Sequence, residues 1–211
     1  MTVISKLASS LGRRDDVPNQ ELAKQIAGRN DKASVKELVE NLSNKNKEIQ
    51  SDCIKALYEI GALKPSLIAD HAKDFVALLD SKNNRLQWGA MTALAGITTE
   101  NPKVIYNALA KIVAISDAGS VITKDNCVRI LIKLCAVKQY ADNAFSLFIE
   151  QLLSSPTNQL PMYAEMALPV ISEKNKAIFI KTLTSRLDDI EKDTKRKRVE
   201  KVIAKLSPKK K

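Results

Sequence analysis

The chain has 211 residues, is 45% hydrophobic and 27% charged, and carries a formal net charge of +10. Those proportions belong to a globular chain rather than a disordered one, and no apolar run approaches the ~18 residues that a membrane helix needs. Three cysteines and a single histidine leave little for a disulfide framework or a multi-histidine metal site.

In chain order, Val3, Ile4, Leu7 and Leu11 have the spacing of a short amphipathic helix, and Leu22, Ala23 and Ile26 that of a second. The polar stretch Gly12 to Asn19 separates them. The opening MTVISKLASSLGRRDD lacks the apolar core and small-residue cleavage site of a secretory signal. With an odd cysteine count, this predicts a reducing, cytoplasmic setting.

From Ser34 onward the pattern repeats. Cys53, Ala90, Cys127 and Ala164 are spaced 37 residues apart, and each opens an apolar trio. The trios are Ala56, Leu57 and Ile60; Ala93, Leu94 and Ile97; Ile130, Leu131 and Leu134; and Ala167, Leu168 and Ile171. A second apolar helix precedes each, led by Leu38, Phe75, Ile112 and Ile149 at the same interval. Self-similarity at a period of 20–50 residues is the mark of stacked structural repeats, and this period suits two helices with short connections. The small residue at each Cys/Ala position fits a close helix–helix approach.

Local signals predict the boundaries. Ser34-Val35-Lys36-Glu37 reads as a capping box, and Asn101-Pro102 as a cap ahead of a proline at the first helical position. Gly28 and Gly61 read as left-handed helix stops. Pro169 falls inside the second helix of the fourth unit, where its missing N–H should interrupt the ladder. Beyond it, Ile178, Leu183 and Leu187 with Val199, Val202, Ile203 and Leu206 predict one further pair. The expected organisation is one repeat domain over 1–206, with a degenerate leading unit at 2–33, four clear repeats at 34–171, a capping unit at 174–206 and a basic tail at 207–211.

The segments IQSDCIKALYEIG (49–61), LQWGAMTALAGI (86–97) and TKDNCVRILIKL (123–134) resemble the second helix of HEAT repeats, in the HEAT/armadillo class. The resemblance implies an all-α, right-handed superhelix of about five helical hairpins, acting as a scaffold. It departs from the family where HEAT units carry an Asp in the inner turn and an Arg early in the second helix. Here those places hold Asn44, Ser81 and Asp117, and Gln50, Gln87 and Thr123, so hydrogen-bonding groups remain but the charged ladder does not.

No catalytic constellation emerges. His71 stands alone, and neither common phosphate-cradling loop occurs. No catalytic residue, metal site or cofactor is expected. Stacked repeats align their equivalent exposed positions on the inner curve, which selects Lys55, Tyr58, Arg85, Trp88 and Arg129 for a protein or peptide partner, since Trp, Tyr and Arg dominate binding hot spots. A second candidate is electrostatic. Residues 192–211 hold ten Lys/Arg against Asp193 and Glu200, a net of +8. Lys195, Arg196, Lys197, Arg198, Lys201 and Lys205 could therefore face a polyanion or nucleic acid. The alkylpurine DNA glycosylases are small HEAT-like proteins of similar length and charge. The resemblance would ask for several inner-face aromatics and an acidic catalytic residue, where this chain has one Trp and Thr92.

Overall fold

The computed structural model describes residues 2–207, so Pro208 and the Lys209 to Lys211 end of the basic tail lie outside it. Helical turns, 3-10 turns included, cover 77% of the described residues, and no strand occurs among them. The chain divides between Cys127 and Val128 into two compact units.

The first unit opens with 3-10 turns at Val3–Lys6 and Ser9–Leu11. This is less regular than the amphipathic helix expected there: Val3 and Leu7 are buried, but Leu11 is exposed. Then follow α1 (Val17–Arg29), α2 (Lys32–Glu40), α3 (Lys47–Leu63), α4 (Ala72–Leu78), α5 (Asn84–Ile97), α6 (Pro102–Asn107), α7 (Leu109–Ala118) and the first turns of α8 (Val121–Cys135). Helix α3 packs against both α1 and α5, while α2 backs α3 and α4 backs α5. The longer helices thus form one layer and the shorter ones another, as in stacked helical hairpins.

The repeat explains the core. Cys53, Ala90, Cys127 and Ala164 are each 0% exposed, and the first three trios are buried throughout. A small side chain at that point lets the helices approach closely. Gly89 extends the same logic: a Cβ there would meet Ile54 Cγ1 at 2.6 Å, so a larger residue fits only if the buried Ile54 side chain shifts. Gly61 is not a helix stop. It lies inside α3, close enough that a Cβ would sit 2.6 Å from Ile68 Cδ1. Gly28 lies inside α1, and the left-handed residue that ends that helix is Asn30, with φ 54°.

The caps also move. Helix α2 starts earlier than Ser34, with Asp31 as N-cap, accepting from the Ser34 backbone N–H at 3.0 Å and from its hydroxyl at 2.6 Å. Glu37 does not close a box; it accepts from the backbone N–H of Val3 at 3.2 Å, tying down the N-terminal turn. Asn101 does precede α6, but its side-chain amide donates to the Ala69 carbonyl instead of accepting from the helix.

A neutral ladder replaces the charged one. Gln50 Nε2 donates to the Asn44 carbonyl at 2.7 Å, and one unit on Gln87 Nε2 also reaches a carbonyl of the preceding turn, that of Leu79 at 3.0 Å, two residues before the position equivalent to Asn44. Gln50 Oε1 also accepts from Asn83 Nδ2 at 3.4 Å, joining neighbouring repeats. Asn19, fully buried, does similar work at the start. It donates to Asp52 at 2.8 Å and accepts from the Ala8 N–H at 3.0 Å.

The second unit contains the rest of α8, then α9 (Ala141–Ser154), α10 (Leu160–Ala167), α11 (Glu173–Ser185) and α12 (Asp193–Leu206). Its core includes the buried Phe148–Phe179 stack, with ring centroids 6.1 Å apart. Both rings stand one residue from the expected core positions: Ile149 is only partly buried and Ile178 is 55% exposed. As expected at Pro169, α10 gives way to a 3-10 turn at Leu168–Val170, and Leu168 and Ile171 leave the core. The guanidinium of Arg186 caps α9, donating to the carbonyls of Leu152 at 2.6 Å, Leu153 at 2.7 Å and Ser155 at 3.0 Å.

Candidate binding surface

Four of the five residues selected for a partner lie in the first unit, on α3 and α5. The middle turns of α3 turn Lys55 and Tyr58 away from the buried Cys53–Leu57 stripe, and α5 does the same with Arg85 and Trp88. The Tyr58 and Trp88 rings lie 5.9 Å apart at 51°, a tilted pair, and both residues remain partly exposed. The Lys55 ammonium stands 4.9 Å from the Tyr58 ring centroid, within cation–π range. Arg85 is exposed.

Lys55 is held in place more firmly than the sequence suggested. Its Nζ lies 2.8 Å from Glu59 and 3.2 Å from Asp16 on the segment leading into α1. Burial works against its charge, yet the bonds to Glu59 and Tyr58 prevail and raise its pKa above the ordinary lysine value. Burial likewise raises the Tyr58 phenol, with Lys55 opposing the shift. The i, i+4 pairing of Lys55 with Glu59 is a signal the sequence carries; the Asp16 partner carries none. Behind Trp88, Thr92 donates to the Trp88 carbonyl at 2.9 Å and accepts from the buried Asn126 amide at 3.0 Å. Thr92 and Asn126 were not foreseen as supports of that turn.

Arg129 belongs to the second unit and is exposed on α8. One turn on, Lys133 is lowered from the ordinary lysine value by burial and then by the Arg129 charge.

The six basic residues of α12 divide into two groups. Lys195 hydrogen-bonds Asn158, Arg196 donates to the Ile190 carbonyl at 3.3 Å, and Arg198 grips Glu165 with two bonds of 2.8 and 2.6 Å. Lys197, Lys201 and Lys205 are exposed, with no ion pair among the described residues. Half of the expected polyanion face is thus engaged within the fold.

Chemistry elsewhere is spare. Burial pushes the thiols of Cys53, Cys127 and Cys135 up to about 12, far from a reactive thiolate. His71 Nδ1 faces Asp74 at 3.2 Å on a partly exposed turn. Among the described residues no cluster of three metal-ligating side chains occurs, and no helix is long and apolar enough to cross a membrane.

Stacked helical hairpins with a buried small-residue repeat define an all-α solenoid of the armadillo/HEAT-like kind. Solved structures share it. An engineered protein from a structural genomics consortium matches at 21% identity, covering 98% of this chain and 97% of its own, with a TM-score of 0.65. A designed armadillo repeat protein in complex with the peptide (KR)4 matches at 16% identity, with coverage of 89% and 87% and a TM-score of 0.67. A computationally designed armadillo repeat protein for modular peptide recognition matches at 19% identity, with coverage of 98% and 91% and a TM-score of 0.65. No protein-family model matches the chain, and no curated protein matches it.

Proposed function

We propose that this chain is a non-enzymatic scaffold that holds a peptide or protein segment against the face of α3 and α5, the side the repeat alignment assigns to the inner curve. The Tyr58–Trp88 pair carries this reading. Two aromatic rings from adjacent helices stay partly exposed beside an ordered lysine and a free arginine. Rigid aromatic anchors with nearby cations have the composition of a binding hot spot. Solved repeat proteins of this fold include one in complex with a peptide and one designed for peptide recognition, which supports the same use here. A net charge of +10 argues against a polybasic ligand for this chain. Three unpaired cysteines support a reducing, cytoplasmic workplace.

The test is affinity capture with wild-type and Trp88→Ala proteins of matched helicity, with nuclease present. A protein partner recovered by the wild type and depleted by the variant supports the reading. A partner retained equally by both removes this surface from the function.

A further inference from the structure

A cleft between α10 and α12 takes no part in that surface. It is an open cleft of about 590 Å³. Leu168 and the buried Val202 form its apolar floor, while Arg198, Lys201 and Lys205 stand at its edge with Glu165. Arg198 and Glu165 satisfy each other through two hydrogen bonds, so the pair is close to neutral. The unbalanced charge belongs to Lys201 and Lys205, whose aliphatic stems extend the apolar lining.

Cations around an apolar floor select against several occupants. A phosphodiester strand would use the cations but not the floor, and no aromatic side chain among the described residues lines the cleft for a base to stack on. A basic segment, the chain's own Lys209 to Lys211 sequence included, would meet like charge. An acidic segment with an apolar side chain satisfies both features. We propose that this cleft binds a short acidic peptide segment of a partner protein, its apolar side chain on Leu168 and Val202 and its carboxylates on Lys201 and Lys205. The site is independent of the α3–α5 surface and survives if that reading fails.

The experiment is fluorescence anisotropy of the full chain with a fluorescein-labelled Glu-Glu-Leu-Glu-Glu peptide at low salt. Saturable binding is expected, weakened about tenfold when the leucine is replaced by serine, the worth of one buried aliphatic side chain. Lys201→Glu combined with Lys205→Glu should weaken it about tenfold or more, by setting like charges against the peptide. Lys197→Glu, an exposed lysine of α12 outside the cleft, should change it less than about twofold, because the site and not net charge decides. Glu165→Gln, which removes a competing carboxylate, should tighten it, and Trp88→Ala should leave it unaltered. Absence of saturable binding overturns the proposal. So does equal loss with Lys197→Glu, indifference to the leucine, or tighter binding of a single-stranded oligonucleotide of the same charge.

Discussion

Tyr58 on α3 and Trp88 on α5 hold their rings 5.9 Å apart at 51° across two neighbouring repeats. They do not occupy equivalent repeat positions: the counterpart of Trp88 is Ser51 and that of Tyr58 is the buried Ala95. The pair is thus a feature added to the repeat, not a product of it. Tilted aromatic pairs contribute about 0.5–1.5 kcal/mol beyond the area they bury. A double-mutant cycle with Tyr58→Ala and Trp88→Ala, read by urea unfolding, should return a coupling in that range. A coupling of zero would mean that the two rings are independent of each other.

Two glycines should respond in opposite directions to the same substitution. At Gly28, within α1, an added Cβ meets nothing within 4 Å, so Gly28→Ala should stabilise the fold by about 0.5–1 kcal/mol through the helix interior preference. At Gly89 the Cβ would press on Ile54 at 2.6 Å, and Gly89→Ala should cost about 1–3 kcal/mol by overpacking. Denaturant midpoints measure both. The same sign at the two sites would mean that α3 and α5 are not as close as described.

Legibility followed the length scale of each interaction. The 37-residue spacing alone located Cys53, Ala90 and Cys127 in the core, because helix periodicity and repetition reinforce one another. Ile149 and Ile178 were each misplaced by one residue, since Phe148 and Phe179 are adjacent apolar choices and only their mutual stacking decides between them. Gly28 and Gly61 carry the composition of helix stops, but Gly28 simply continues α1 and Gly61 makes room for Ile68. On the candidate surface the aromatic and basic residues could be read from the repeat register. The partners of Lys55, Arg198 and Arg186 could not, because Asp16, Glu165 and the α9 carbonyls lie 31 to 39 residues away in sequence.

Asp31 gives a pH-dependent prediction. The Ser34 hydroxyl and then the Ser34 backbone N–H donate to its carboxylate and hold the carboxyl below its ordinary value of 3.8. A carboxyl lowered by folding stabilises the native state above the unfolded value, and that contribution is lost as pH falls through the folded value. Asp31→Ala should therefore cost about 1 kcal/mol near neutrality, as loss of an N-cap does. The gap between variant and wild type should narrow as the pH drops below 3.8. Urea titrations across the acid range follow it, and a gap independent of pH would remove the carboxylate from the cap.

Trp88 is the one tryptophan of the chain, so its emission reports on the proposed surface without a label. A partner recovered by capture should be titrated into the wild-type protein while that emission is followed, with complex formation measured in parallel by size exclusion. A saturable blue shift that tracks complex formation is expected, as the partly exposed ring is covered, with an affinity about 2 kcal/mol weaker for Trp88→Ala. A complex that forms with unchanged emission and equal affinity for the variant would contradict it, and would locate binding away from Tyr58 and Trp88.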